Sequence, residues 1–438
     1  MPNRYTLSSF FNRLKRKKGF KKKKGFKTKT NIFDTKLFNV AKNIVIVSVI
    51  VFVTYTVIYP TGMAIYGFKL EEYPNTEHLQ REWNRGERLN LLLIGVDDLS
   101  QDNKFVDSIA LMIVDPDAEQ VGIFNINPDL AAYSPALRKT IYIRSAFNES
   151  NDEVDGLTNT IEAVENLLAI RVDKYILMDK DGFNNATQSF QAARIDFQQK
   201  IHDQDLAKLD SKVLGWDSGK QSIYPDEFLA LLAADELGKN DQLNRQLDFY
   251  RSQIENINSV NSYIHISNLL EDIADNIYTN MTELEFYRLL WELRSLRSDQ
   301  VKVAYTRQDS MLKSDAFGIY PRYEPILENI DQDLSSILFN TDILKEQAKI
   351  EVLNGSGVSG LAYNRARWIT NMGGRVILYS NSPVQEPITK IYVEDKEKFP
   401  NTLNGIERVF NGKIEYPQQE YQYKHVGDII IVIGEEYE

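Results

Sequence analysis

From Asn43 to Gly67 the chain carries no Asp, Glu, Lys or Arg over 25 consecutive residues. The core of this run, Ile44 to Tyr59, is mostly Ile, Val, Phe and Tyr. About 20 apolar residues in a helix, rising 1.5 Å each, cross the roughly 30 Å hydrocarbon layer of a bilayer. The run therefore predicts a single transmembrane helix over 43–67. A buried helix of a soluble domain is seldom so long or so uniformly apolar. Pro60 and Gly62 fall late in the run, where they would kink or end the span, and Tyr55, Tyr59 and Tyr66 suit an interfacial belt.

Charge orients this span. Residues 1–42 hold 14 of the 51 Lys and Arg and one of the 62 acids, Asp34. The remainder is strongly acidic, so the overall charge of −11 hides two segments of opposite sign. Positive charge stays on the cytoplasmic side, which predicts a basic cytoplasmic tail (1–42) and main domains outside the cell membrane. A cleaved signal peptide would have a shorter apolar region and a small-residue cleavage site. The tail, with Phe10, Phe11, Phe20 and Phe26 among its lysines, suits anionic lipid headgroups. Nucleic acid is the weaker reading, because basic residues beside a span are first a topology signal.

The chain has no cysteine, which excludes disulfides, thiol catalysis and Cys-ligated zinc. Its four histidines, His78, His202, His265 and His425, argue against a His-rich metal centre.

Beyond the span, residues 68–88 are polar and read as a stalk. Leu89 to Val96 is a short apolar run without helical period, ended by Asp97 and Asp98, and predicts a buried strand. Ser108–Val114 and Val121–Ile126 are further strands, separated by Pro116 and Asp117. In Thr158–Ile170 the period changes: Ile161, Val164, Leu167 and Leu168 share one helical face, and Asp152, Glu153 and Asp155 precede it. Tyr175–Met178 is again a strand, so the alternation predicts an α/β fold, a mixed sheet flanked by helices over 89–340. Tyr224 to about Leu296 reads as mainly helical, 301–305 as a strand and Glu324–Leu338 as a helix. Residues 341–348 read as a linker to a small C-terminal βαβ-type domain over 349–438. In it a strand from Lys349 meets the turn Gly355-Ser356-Gly357, and a helix from about Ser359 stops before Gly373-Gly374.

The glycine turn could present amides to an anion, but it lacks the Lys and Ser/Thr of a P-loop and the third Gly of a dinucleotide site. A tight turn needing positive φ is the better reading. The acids at strand ends hold more chemistry. Asp97 and Asp98 end one strand, Asp107 starts the next and Asp129 follows the third. On adjacent strands their carboxylates could converge on a hard cation such as Mg²⁺. From spacing alone the balance lies with solvated loop acids.

Leu91-Leu-Leu-Ile-Gly-Val-Asp97, Val106-Asp107-Ser108-Ile-Ala-Leu and Phe124-Asn-Ile-Asn-Pro-Asp129 resemble the opening blocks of the LytR-CpsA-Psr (LCP) family. The helix Thr158–Ile170, with Val172-Asp-Lys-Tyr175 and Asp181-Gly-Phe183, resembles its next block. Ile350 to Ala362 and Asp428 to Gly434 resemble the LytR C-terminal domain that often follows it. The resemblance implies an envelope phosphotransferase that moves a glycopolymer from a polyprenyl pyrophosphate carrier to peptidoglycan with Mg²⁺. In that reading arginines grip the pyrophosphate, acids hold the cation and activate the acceptor, and an apolar pocket takes the lipid.

Several family arginines are replaced here. Leu99 stands where the first block usually ends in Arg, the Arg-x-Asp pair reads Phe105-Val-Asp107, and Pro-Arg-Asp reads Asn127-Pro128-Asp129. Of the later Arg-rich block only Arg245-Gln246 survives. The resemblance carries Asp97 and Asp107 over as Mg²⁺ ligands and Asp107, Asp129 and Arg245 as catalytic groups. Arg138, Lys139, Arg144 and Arg245 are the bases that could replace the missing arginines, Arg138 and Arg144 at the pyrophosphate. Losing one charge-assisted contact at a developing charge costs roughly 3–4 kcal/mol, so losing several would nearly abolish the standard reaction. This favours an LCP-like protein, degenerate in catalysis, that binds a polyprenyl-linked carrier or wall glycan in envelope assembly. An active divergent phosphotransferase is the alternative. Converging arginines at Asp97 and Asp107 would favour catalysis, and an apolar tunnel without them would favour binding.

Overall fold

The computed structural model of the chain describes residues 67–437 except 75, 77–81, 85, 150–154, 203–214, 235–236, 258–265, 315–321, 339 and 411–413. The basic tail and all but the last residue of the predicted span lie outside the described residues. Among these, no helix is long and apolar enough to cross a membrane.

Strands β1 (Leu89–Val96), β2 (Val106–Asp115) and β3 (Gln120–Ile126) form an antiparallel meander, with Leu91 opposite Met112 and Met112 opposite Ile123. A separate hairpin of β4 (Ala131–Ser134) and β5 (Lys139–Tyr142) follows. The helix Gly156–Leu168 then returns the chain to β6 (Lys174–Met178), which lies parallel to β1. Asp155 caps that helix, its Oδ1 accepting from the amides of Leu157 and Thr158 at 2.9 Å each, a contribution of about 1 kcal/mol.

The middle of the chain adds the hairpin β7 (Ala193–Phe197) and β8 (Gly219–Ile223). The helices Phe228–Ala233, Lys239–Ile257, Ile266–Ala274 and Glu283–Arg294 follow, with β9 (Tyr278–Thr279) before the last of them. Among the described residues of this region the helical reading holds except at β9, whose two residues are too few to carry a period. Next, β10 (Val301–Tyr305) joins β3 in parallel, and β11 (Met311–Lys313) pairs with β12 (Tyr323–Pro325) ahead of the helix Leu327–Ser335. The main sheet runs β10-β3-β2-β1-β6-β9, mixed and six-stranded.

Both faces of this sheet are buried. Leu92, Ile94, Leu111 and Ile113 pack with Leu157, Ile161, Val164, Ile330 and Leu334 on one side. Leu89, Leu91, Ala110 and Met112 pack with Leu247, Ile254, Phe286 and Leu289 on the other. That is why Leu89–Val96 shows no alternation: each side chain meets a covered face, and each large one contributes about 1.5–3 kcal/mol.

Two boundaries differ from expectation. The described residues of 68–88, read as a stalk, belong to the folded unit. Phe68 and Trp83 are buried, the Thr279 amide donates to Glu71 O at 2.8 Å, and the Trp83 amide donates to Glu285 Oε1 at 2.8 Å. Polar composition hid this, because the two anchoring aromatics are isolated in sequence. The expected linker contains a short helix, Thr341–Glu346, with Ile343 buried against its neighbours.

The C-terminal sheet runs β14 (Arg375–Asn381), β13 (Lys349–Asn354), β16 (Ile429–Ile433), β15 (Lys390–Val393). β13 is parallel to β14 and β16, as a βαβ unit requires, and the helices Leu361–Asn371 and Pro400–Val409 cover one face. The glycine turn is a tight turn: Gly357 has φ +86°, and Asn354 Oδ1 accepts from the Ser356 amide at 3.1 Å and its hydroxyl at 2.8 Å. Arg367 and Asn371 join this domain to the first. They donate to the last carbonyls of the Gly156–Leu168 helix, Leu167 O at 3.1 Å and Leu168 O at 2.8 Å. Those carbonyls have no partner within their own helix.

Candidate functional site

At the end of β1 the chain turns out through Asp97 and returns at β2. Asp97 Oδ1 accepts from the Asp98 amide at 2.9 Å and the Phe105 amide at 2.7 Å, so this carboxylate closes the intervening loop. Asp107 then stands near the start of β2. Asp129 follows β3 in a turn where Asn127 Oδ1 accepts its amide at 3.0 Å. The Arg144 amide donates to Pro128 O at 2.7 Å, which holds the 3₁₀ turn Ile143–Asn148 against that segment.

The Arg144 guanidinium therefore lies between two acids. Its Nε is 2.5 Å from Asp129 Oδ1 and its Nη1 is 2.9 Å from Asp107 Oδ1. Lys180, the first residue of the helix Lys180–Ala186, places Nζ 2.9 Å from Asp107 Oδ2. Asp179 caps that helix through the Gly182 amide at 2.8 Å and also accepts the Leu99 amide at 3.2 Å. Asp129 is buried, whereas Asp107 and Lys180 keep 36% and 40% of their side-chain surface open, so the cluster has a dry end and a wet end.

This cluster borders a cavity of about 600 Å³. Its remaining wall is largely apolar, with Leu93, Ile94, Met178, Phe183, Leu229 and Leu232, and with Ser108, Gln242, Gln246, Tyr250 and Tyr323 as the polar exceptions. Burial pushes the Tyr250 phenol up, with a hydrogen bond to Ser108 acting the other way. Such a space suits a ligand with a long apolar part and an anionic end.

Of the residues singled out from the sequence, Asp107, Asp129 and Arg144 meet at this cavity. Arg138 and Arg245 are not among its lining residues. Arg138 sits exposed at the turn between β4 and β5 with φ +50°. Arg245 is buried, pairs with Asp241 and donates to Leu231 O and Ala234 O at the end of the Phe228–Ala233 helix. Successive helix residues point about 100° apart, so Gln246 lines the cavity while Arg245 turns away. Lys139 pairs with Glu149 at 2.6 Å. Asp97 lies outside the lining, spent on its loop. Sequence reasoning missed Lys180. Its signal was the Asp179-Lys180-Asp181-Gly182 run directly after a buried strand, where a helix start faces the sheet edge.

The model of the LytR_cpsA_psr family matches residues 53–335. The chain belongs to this family. Residues 347–437 match a second model, LytR cell envelope-related transcriptional attenuator. The chain is 23% identical over 200 residues to the polyisoprenyl-teichoic acid–peptidoglycan teichoic acid transferase TagV of Bacillus subtilis, covering 44% of this chain and 49% of TagV. It thus spans about half the length of that curated relative. The crystal structure of B. subtilis TagV aligns with a TM-score of 0.47 at 20% identity, over 57% of this chain and 96% of that one. A structure described as TagT bound to LIIa-WTA aligns with a TM-score of 0.47 at 15% identity, over 62% and 98%.

The family reading brings Mg²⁺ with it, and the donor set can be tested for it. Both Asp107 oxygens face cations, Asp129 faces Arg144, and among the described residues no group of three His, Cys, Asp or Glu side chains could hold a metal ion. The arrangement does not fit a resident Mg²⁺ held by protein ligands alone.

Proposed function

We propose that this LCP family member binds a polyprenyl-linked glycopolymer carrier, lipid in the apolar cavity and phosphates at Arg144 and Lys180, and serves envelope assembly through that binding. The observation that carries the reading is an apolar cavity of about 600 Å³ ending on two cations. A polyprenyl chain needs the first and its phosphates need the second. The name of TagV, a polyisoprenyl-teichoic acid transferase, points to the same ligand class.

Binding rather than fast transfer follows from the charge balance. Arg144 and Lys180 face Asp107, Asp129 and Asp179 around the cavity, so acids outnumber cations. Each missing cation at a departing pyrophosphate costs roughly 3–4 kcal/mol of transition-state stabilisation. The membrane span over 43–67, with the basic tail on anionic headgroups and the domains outside, would hold the cavity at the membrane from which the carrier comes. A wall glycan remains the other candidate ligand.

The second reading, an active transferase attaching glycopolymer to peptidoglycan, is favoured by Asp107. It is the more open acid of the pair and is held at the cavity by two cations, a position suited to an acceptor hydroxyl. Mg²⁺ would then arrive with the pyrophosphate, whose oxygens supply most of its ligands.

The test is binding of a polyprenyl pyrophosphate analogue to the full chain, with and without Mg²⁺. We expect binding that weakens about tenfold in Lys180→Ala, the equivalent of roughly 1.4 kcal/mol for one charge-assisted contact. Analogue binding unchanged in Lys180→Ala and in Arg144→Ala would sink the site. Strict Mg²⁺ dependence together with product in a transfer assay would select the second reading.

A further inference from the structure

The helix Glu283–Arg294 has an unusual outer face. Phe286, Leu289 and Leu293 enter the core, as its helical period requires. On the opposite side Leu284 is 68% exposed and Trp291 is 65% exposed, two turns apart, while Tyr287 between them is half-buried with its hydroxyl covered. Of the chain's four tryptophans, Trp83, Trp216 and Trp368 are buried. An exposed indole and an exposed leucine on one stripe call for an occupant.

Chain connectivity names the occupant. Phe68 packs its ring 5.4 Å from Tyr287 and 5.5 Å from Phe286, so it is fixed against this helix. Phe68 also closes the uncharged stretch that starts at Asn43, with Lys69 following. A span over that run leaves the bilayer between Pro60 and Phe68, a few residues of chain at most before this helix is met. Along the helix Leu284 and Trp291 lie about 4.5 and 6 Å from Tyr287, at 1.5 Å per residue. Each headgroup layer is roughly 5–8 Å deep. Trp291 lies one helical turn from the residue that holds Phe68, near enough along the chain for that layer to cover it.

We propose that the exposed face carrying Leu284 and Trp291 is a membrane-interface surface, with the Trp291 indole seated among the lipid headgroups. Trp is the side chain most suited to that zone, its ring amphipathic and its N–H able to bond there. The Arg294 guanidinium lies over the Trp291 ring at 5.1 Å and adds a polar contact at the same level. Glu283 and Glu292 offset Arg288 and Arg294 on this helix, so zwitterionic lipid suffices. The contact would fix how the first domain, and with it the cavity, stands on the membrane. The inference rests on the span at 43–67 and is independent of which ligand the cavity takes.

The experiment uses the full chain reconstituted into phosphatidylcholine vesicles with and without brominated acyl chains. Brominated lipid should quench a tryptophan component that is blue-shifted in vesicles and absent from Trp291→Phe. Equal quenching in wild type and Trp291→Phe, with both co-floating with the vesicles, would overturn the proposal and leave the stripe to solvent or a protein partner. Failure of the full chain to co-float would instead remove the span, and the proposal with it.

Discussion

The Arg144 guanidinium meets Asp129 at 2.5 Å, and only 6% of the Asp129 side chain is exposed. Two residues that lie fifteen apart in sequence thus form a nearly buried ion pair at the edge of an apolar cavity. Burying such a pair gains little over an apolar core, but breaking it from one side is costly.

Arg144→Ala should therefore destabilise the chain by about 3–5 kcal/mol, because Asp129 is left charged and dry. Arg144→Leu combined with Asp129→Asn should recover much of that stability and none of the carrier binding. Denaturant titration paired with analogue binding separates the two effects. If the single variant keeps the wild-type midpoint, the pair is not the anchor its geometry describes.

The two domains should unfold together because of Arg367. Its Nε and Nη2 each lie 2.7 Å from one oxygen of Asp331 on the Leu327–Ser335 helix, and it also holds Leu167 O. Trp368 beside it packs under the Arg171 guanidinium, 4.8 Å from the ring centre. Arg367→Ala should cost about 3 kcal/mol and split one thermal transition into two, read by calorimetry. A single unshifted transition would show that the C-terminal domain docks by other contacts.

Acid should loosen the segment before β1. Burial raises the pKa of Glu285, but hydrogen bonds from Lys174 and from the amides of Thr282 and Trp83 outweigh it and hold the carboxyl below its ordinary 4.5. Its folded pKa is thus depressed. The stability it contributes is fully present above 4.5 and is lost as pH falls through the folded value. Glu285→Gln should be less stable at neutral pH and show a shallower loss below pH 4.5 than the wild type. Parallel stability curves for the two, from pH 7 down to 3, would contradict this assignment.

Much of this protein is set by local pattern. Apolar runs without alternation marked β1 to β3, a change of period marked the Gly156–Leu168 helix, and Asn354 to Gly357 marked a tight turn. These signals live in neighbouring residues, so the sequence alone determined the α/β order, the small C-terminal unit and the expectation of a span with its orientation. It also marked Asp107 and Asp129 as strand-end acids. It could not tell Arg144 from Arg138 and Arg245, because a guanidinium reaches its partner through space. Arg144 meets Asp107 only because β2, β3 and a 3₁₀ turn converge. Arg245 turns from the cavity by one helical step, and Lys180 arrives from the far side of β6. Long-range packing decided which charges share the site, and it fixed Phe68 and Trp83 on a domain that their polar surroundings had hidden.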